Sequence, residues 1–378
     1  MSTWNLRNHT AIVGVGYTPM VRASELSIGA LATQAALAAI ADAGLRREDI
    51  DGYVGSQAAP FYVTVGAHQD GVDEVSAGYV ATSIGMHEPQ WLIDIQGLPT
   101  TAVGIAAHVL ASGVCKYVLL MRAMYNPVGK RYQAVSSSLA GGPSQYTVPY
   151  GMTGGIAMFA PWLQRYMHDY GATREALFSV VENDRKHAQL NPVAYWRGKE
   201  LTLDDYMNAP PIYSPLNKFD CDIPVTGAGA VVMTTAERAK DLRHKPAYVA
   251  GVAHVQQPGN TLFDRAGVSR KEVQVAQLYD GFSPFVWMWL EQLGLCERGT
   301  AHQFTQGGRI GLGGELPVNT FGGQIGEGRL HGMGHLREGA MQIMGRCGER
   351  QVPNVANCVV TNGFIGPNGF CTLMLSAG

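Results

Sequence analysis

Asp42-Ala-Gly-Leu-Arg-Arg-Glu-Asp-Ile-Asp51 returns, in order and character, as Arg265-Ala-Gly-Val-Ser-Arg-Lys-Glu-Val-Gln274. Each stretch reads as a helix end, a glycine stop and the entry to a strand. Upstream of each lies a short apolar run with glycine, Ile12-Val-Gly-Val-Gly16 and Val249-Ala-Gly-Val-Ala253. Chance similarity of two common helix-to-strand turns is the simpler account. Agreement in both order and character favours duplication, giving two related α/β halves with a boundary near residues 236–246. The division is residues 1–240, which include a loop region at 124–224, and residues 241–378.

Outward from the repeat, apolar runs alternate with helical spacing. Ala11–Gly16, Trp91–Ile95, Tyr117–Met121 and Ala230–Met233 read as strands, and Tyr53-Val54 opens another. Residues 25–43, 100–112, 156–170 and 173–190 read as helices. The alternation predicts parallel sheets with helices packed on them. Residues 124–155 break the pattern with Gly141-Gly-Pro143, Pro149 and Gly154-Gly155. They are expected to form a long ordered loop or lid. Its Tyr125, Tyr132, Tyr146 and Tyr150 either line a pocket for a bulky apolar acyl group or pack the loop. The dense apolar run Phe285–Leu290 is expected to be core or a subunit seam.

Composition narrows the classes. Charged residues are 15% against the ~25% of an average domain, so part of the surface is expected to be covered in an oligomer. The net charge of −2 and the lack of a basic run argue against nucleic acid. No apolar run reaches the ~20 residues of a membrane span, and no signal core opens the chain. The six cysteines (115, 221, 296, 347, 358 and 371) are scattered without a CxxC pair. They read as reduced thiols of a cytoplasmic protein, with no zinc site. Gly14-Val-Gly16 continues with Tyr-Thr-Pro, which does not complete a dinucleotide fingerprint.

The stretch Tyr166-Met-His-Asp-Tyr-Gly-Ala-Thr-Arg-Glu175 is followed by Asn183, His187, Asn191-Pro192, Tyr206, Pro215-Leu216 and Asp220-Cys221. It resembles the mid-chain of the sterol-carrier-protein-x, or lipid-transfer-protein, branch of the thiolase superfamily. Tyr279-Asp-Gly-Phe282 stands where that branch has His-Asp-Cys-Phe. Asn319-Thr-Phe-Gly-Gly323 stands where it has Asn-Pro-Ser-Gly-Gly. The resemblance implies a thiolase fold, with two halves forming a layered αβαβα core. It also implies a homodimer acting on a CoA thioester.

The departures decide the chemistry. A thiolase nucleophile is a cysteine at the N-terminus of a buried helix, where amides and the helix dipole lower its pKa. Gln96 or Gly97 holds that place here. The acid/base histidine falls on Arg329, and the second catalytic cysteine near Val360. Ping-pong thiolysis therefore lacks its nucleophile. What is expected to survive is an oxyanion site at two converging helix N-termini, near Thr100 and near His331. Such a site suits retro-aldol cleavage of a 3-hydroxyacyl-CoA, whose transition state is a thioester enolate. The chain thus resembles steroid side-chain aldolases, which release a ketone or aldehyde and a short acyl-CoA. Those work with a small partner carrying a zinc ribbon and an OB fold, so zinc is expected only in such a partner. This chain itself is expected to bind no cofactor. A Claisen-type acyltransferase using a partner's thiol and a non-catalytic acyl-CoA or lipid binder are the alternatives.

Tyr279 is the first candidate acid/base. As a base it needs a nearby cation, for which Arg329 is placed, unless Arg329 pairs with Glu327 or Glu338. His331 is a candidate proton shuttle. His335 is a further substrate-side candidate, though a structural bond to a loop carbonyl is the plainer reading. The pair offers no third ligand for a metal. Asp280 either orients Tyr279 or a histidine, or caps the helix beginning near Pro284, with capping the plainer reading. Gln96 and Gly97, with Gly322 and Gly323, are candidate substrate-binding positions, the latter pair by letting backbone approach the thioester.

Overall fold

A nine-stranded mixed sheet organises the chain. The computed structural model describes residues 4–57, 69–126, 141–152, 154–255, 258–363 and 370–378. The first half runs β1 (Thr10–Tyr17), α1 (Ile28–Asp42), β2 (Gly52–Gln57), α2 (Ala77–Ile84), β3 (Trp91–Gln96), α3 (Pro99–Ala111) and β4 (Tyr117–Met124). Helices α4 (Gly155–Tyr170), α5 (Arg174–Gln189) and α6 (Leu203–Asn208) follow. Then come a small ribbon, β5 (Pro211–Tyr213) with β6 (Leu216–Asn217), and the long β7 (Gly227–Thr235). After α7 (Ala236–Ala239) the second half runs β8 (Ala247–Val255), α8 (Pro258–Ala266), β9 (Val275–Gln277), α9 (Pro284–Gln292) and α10 (Ala301–Phe304). It closes with α11 (Gly323–Gly326), α12 (Met333–Met344), β10 (Asn357–Asn362) and β11 (Phe370–Ser376).

The strand order is β3-β2-β4-β7-β1-β8-β11-β10-β9. Read outward from the central β1–β8 pair, the halves mirror each other. Each places its last strand beside its first, then the strand before it, then its second. The repeated sequence falls at matching places. Gly44 (φ 76°) ends α1 and Gly267 (φ 60°) ends α8, and a 3₁₀ turn follows each, at Arg47–Asp49 and Arg270–Glu272. Both glycines are left-handed, which accounts for glycine at the stop.

The sheet is not parallel throughout, as alternation alone suggested. β2 pairs parallel with β3 and β4, and β9 with β10. β1–β7, β4–β7, β1–β8, β8–β11 and β10–β11 are antiparallel. Antiparallel neighbours do not need the crossover that a parallel pair requires.

Helices α3 and α12 precede β4 and β10, which each lie third outward from the centre of the sheet. Both touch strands of both halves and each other. Their small and aliphatic residues (Ala102, Val103, Ala106, Leu336, Ala340) form one core with the inner strand faces. Outside, α1 and α2 cover the first half and α8 and α9 the second. The layering is helix, sheet, helix, sheet, helix. The Phe285–Leu290 stripe lies wholly buried in the second-half core, so it is core packing and not a seam.

Candidate active site

Tyr279 follows β9 and is held by its backbone. Its N–H donates to Thr361 Oγ1 at 2.9 Å, and the preceding Leu278 N–H donates to Asn319 Oδ1 at 2.7 Å. Family-motif residues of α5 clamp the facing loop. Asn183 Nδ2 donates to Val318 O (3.0 Å), His187 Nδ1 bonds Asn319 O (3.1 Å) and Asn191 Nδ2 donates to Phe321 O (2.9 Å). Positions 183 and 187 share one helix face, as i and i+4 must. A second buried hub brings in another chain segment. Asp220 accepts from Tyr206 Oη (2.7 Å) and Ser283 Oγ (2.6 Å), and Cys221 bridges Phe282. Asp222 N–H then donates to Gly281 O at 3.1 Å, which places this carboxyl beside the Tyr279 segment.

Asp280 is fully buried and accepts three hydrogen bonds. They come from Gln324 N (2.9 Å), Ile325 N (3.0 Å) and His335 Nε2 (2.9 Å). It therefore holds a histidine, His335, as one of the sequence alternatives had it, and it caps α11 instead of the helix beginning at Pro284. Asp184 lies against it. Burial, then the charge of Asp280, raises the Asp184 carboxyl well above its usual range.

The opposite side of the site is basic. Arg122, on the inner face of β4, is wholly buried. Its Nη1 donates to Ser56 O (2.5 Å), Ser56 Oγ (3.1 Å) and Gly97 O (3.1 Å), and its Nη2 to Nδ1 of His331. A guanidinium has no acceptor, so the His331 Nδ1 is the acceptor and the proton sits on Nε2. Burial, then the charges of Arg329 and Arg122, pushes His331 well below its usual value, and the ring stays neutral. His331 also holds φ 47°, the one left-handed residue among the described residues that is neither glycine nor asparagine. Backbone strain of that kind costs about 1–3 kcal/mol and clusters at functional sites.

Arg329, also wholly buried, sits with Nε 3.8 Å from Asp222 Oδ2. Burial raises Asp222 well above the usual carboxylate range, with the Asp280 charge adding to it. Burial, then the neighbouring Arg122 charge, pushes Arg329 downward, yet a guanidinium keeps its proton in proteins. Tyr279 faces both kinds of charge. Burial and Asp222 raise its hydroxyl, while Gln324 and Arg122 oppose that, and the net shift is upward. Tyr279 is thus a neutral phenol, not the tyrosinate that a simple base would be.

Residues 235–370 match the thiolase C-terminal domain-like family. The chain is 34% identical to the 17-hydroxy-3-oxo-4-pregnene-20-carboxyl-CoA lyase of Mycobacterium tuberculosis, over 95% of this chain and 97% of that one. This chain belongs to the thiolase superfamily. It is also 34% identical to the steroid side-chain-cleaving aldolase of Thermomonospora curvata, over 93% of this chain and 94% of that one. A solved Ltp2-ChsH2(DUF35) aldolase superposes with a TM-score of 0.87 at 33% identity, covering 98% of both chains. Human mitochondrial 3-ketoacyl-CoA thiolase shares the fold alone, with a TM-score of 0.69 at 15% identity.

Within the thiolase fold, several amides at the two helix ends already have partners. α3 and α12 do converge, joined by Asn362. But Pro99 has no N–H, Thr100 N donates to Asn362 Oδ1 (3.0 Å) and Thr101 N to Leu98 O (2.9 Å). Ahead of α12, Gly332 N donates to Gln324 Oε1 (3.2 Å) and Met333 N to Leu330 O (3.1 Å). The amides named here have internal partners, and the buried cations Arg122 and Arg329 add positive charge beside the helix ends. No thiol is primed. Burial pushes Cys115 and Cys371 up to about 11 and Cys296 up to about 12, and it raises Cys221, Cys347 and Cys358 as well.

Several sequence expectations change. Arg329 pairs with Asp222, because Glu327 is taken by Arg337 and Glu338 by Arg350. His335 is wholly buried on Asp280, a structural bond to a carboxylate instead of a loop carbonyl or a substrate. Gln96 is exposed at the end of the edge strand β3, while Gly97 offers its carbonyl to Ser56 and Arg122. Gly322 and Gly323 are buried and serve packing. A Cβ on Gly322 would meet Ala188 at 2.9 Å, and one on Gly323 would meet Asp280 Oδ2 at 2.2 Å. Tyr146 and Tyr150 are 73% and 80% exposed, and Tyr132 lies outside the described residues. A cleft of about 510 Å³ lies elsewhere, between Trp4, Trp91 and α3, and includes none of Tyr279, Arg329 or His331.

Arg122 and Asp222 were missed. A lone arginine inside the apolar run Leu119-Leu-Met-Arg-Ala-Met124 is the signal that could have found the first, since a strand buried on both faces does not hold a charge idly. Asp222 carries no such local signal.

Proposed function

We propose that this chain is a carbon–carbon lyase that cleaves a 3-hydroxyacyl-CoA by a retro-aldol reaction. The products are a ketone or aldehyde and a short acyl-CoA. One observation carries this: a tyrosine–aspartate pair faces two buried guanidiniums and a neutral histidine, with no activated thiol in reach. The relatives named as lyase and aldolase point the same way.

The chemistry follows from the protonation states. Tyr279 takes the proton of the 3-hydroxyl while passing its own to Asp222, whose raised affinity suits it as the final acceptor. The C3–O bond becomes C=O as C2–C3 breaks. The released electron pair enters the thioester as an enolate, and C2 then takes back the proton held by the Tyr279–Asp222 relay, which resets the site. Arg122, Arg329 and the Nε2–H of His331 stabilise the enolate oxygen in a water-poor site. Gln96 and Gly97 flank the place where the acyl chain enters. The division near residue 240 rests on the mirrored strand order.

The substrate class is a bulky, steroid-like acyl-CoA. The thioester named for the M. tuberculosis relative is itself a 3-hydroxyacyl-CoA, since its 17-hydroxyl lies on the carbon β to the thioester carbonyl. A homodimer through the edge strand β3 is supported by its exposed Trp91 and Leu92. A small zinc-ribbon/OB-fold partner is supported by the two-protein name of the Ltp2-ChsH2(DUF35) aldolase. Scattered reduced thiols support the cytoplasm. No described helix is long and apolar enough to cross a membrane.

The test is product formation without thiol. The chain, co-expressed with a DUF35-type partner, is given 17-hydroxy-3-oxo-4-pregnene-20-carboxyl-CoA. Propionyl-CoA and the 17-ketone are expected in equal amounts. Turnover that requires added CoA would mean a transferase, and tight binding without turnover would mean a binder.

A further inference from the structure

We infer that Gln324 is a catalytic residue whose side-chain amide donates to the 3-oxygen of the substrate, the same oxygen that Tyr279 deprotonates. The inference rests on the retro-aldol reading above and assigns a second contact to its reacting oxygen.

Gln324 opens α11 and is 1% exposed. Its backbone N–H is fixed on Asp280 Oδ1 at 2.9 Å. Its side-chain Oε1 accepts from Gly332 N at 3.2 Å. A backbone N–H can only donate, so this bond assigns the amide: the oxygen faces Gly332 and the NH2 faces the other way. That NH2 is buried and directed at the Tyr279 hydroxyl without full hydrogen-bond geometry, and it favours ionisation there.

A buried amide whose acceptor is poorly placed forfeits part of a hydrogen bond, and native interiors hold few such groups. Methionine or leucine would fill a similar volume without that penalty. The glutamine is accounted for if a ligand oxygen completes it. The thioester oxygen already has Arg122, Arg329 and His331. The oxygen beside Tyr279 is the one on C3. There it gains negative charge as its proton leaves, and a fixed donor stabilises it.

Gln324→Met keeps the length and removes the donor. Gln324→Glu keeps an oxygen for Gly332 N–H and replaces the donor by a carboxylate. Each is assayed on 17-hydroxy-3-oxo-4-pregnene-20-carboxyl-CoA, alongside inhibition by the analogue lacking the 17-hydroxyl. The expected result for both is a loss of about 10²-fold in kcat/KM, with the Ki of the deoxy analogue unchanged. Packing alone would weaken the analogue as much as the substrate, and that outcome overturns the inference. So does activity within about 3-fold of wild type, a gap smaller than one lost hydrogen bond. If Gln324→Met fails to fold, Gln324→Glu decides. If Tyr279→Phe is inactive while both Gln324 variants are active, only this inference fails. If Tyr279→Phe is active too, the reading of the site fails with it.

Discussion

Arg122 and His331, 209 residues apart, are joined by a buried hydrogen bond from the Arg122 guanidinium to the His331 Nδ1. The same guanidinium holds Ser56 and Gly97, so one side chain positions the strand end beside the former nucleophile site and sets the tautomer of the histidine. Arg122→Lys keeps a charge but cannot reach Ser56, Gly97 and His331 together. We expect it to lower kcat by about 10²-fold, the effect of losing one oxyanion donor. Steady-state kinetics with a thermal-unfolding control checks this.

The raised carboxyl of Asp222 gives the pH dependence a sign. The relay needs the carboxylate. The rate should therefore rise with pH through the raised value, above the ~3.9 of a free aspartate, and then level off. Tyr279 is shifted upward and His331 downward, so neither should add a limb near neutrality. Asp222→Asn should remove the rising limb along with most of the activity. An unchanged pH–rate profile in that variant would exclude Asp222 as acceptor.

The thiols should be dispensable. Burial raises Cys371, the one tied by its carbonyl to Thr100 Oγ1 near the start of α3, up to about 11. Little thiolate then exists at pH 7.5, and alkylating reagents should react slowly. We expect Cys371→Ala and iodoacetamide-treated enzyme to keep activity. Loss of activity in step with labelling of one cysteine would restore a covalent mechanism.

Asp42 ties α1 to the end of α12. It accepts from Arg346 Nη2 (2.6 Å) and Val15 N (2.9 Å). Burial alone would raise its pKa, but the Arg346 hydrogen bond and charge and the Val15 N–H together outweigh burial, and the net shift is downward. A carboxyl depressed in the folded state stabilises above its unfolded value of ~3.9. That contribution is lost as pH falls through the depressed value. The pair is partly exposed, so Asp42→Asn should cost only about 1 kcal/mol at pH 7. The difference from wild type should shrink toward pH 3 in denaturant titrations.

Sequence alone read the repeat, because Gly44 and Gly267 mark helix stops that local backbone geometry demands. It offered Tyr279 from its place in the motif and His331 from its place at a helix mouth. It could not read Asp222 against Arg329, or Gln324 against Gly332, since those contacts depend on how loops cross the sheet end. It expected free amides near Thr100 and near His331, and those of Thr100 and Gly332 are taken by Asn362 and Gln324. Side chains distant in sequence took the partners that a local rule left open.

The central claim is that Tyr279 moves the 3-hydroxyl proton in a cleavage that needs no covalent intermediate. The most direct measurement is kcat for Tyr279→Phe on 17-hydroxy-3-oxo-4-pregnene-20-carboxyl-CoA, with unfolding monitored in parallel. We predict a loss of about 10²–10⁴-fold, the usual worth of a general acid/base, in a protein that stays folded. Activity within a few-fold of wild type would contradict the account.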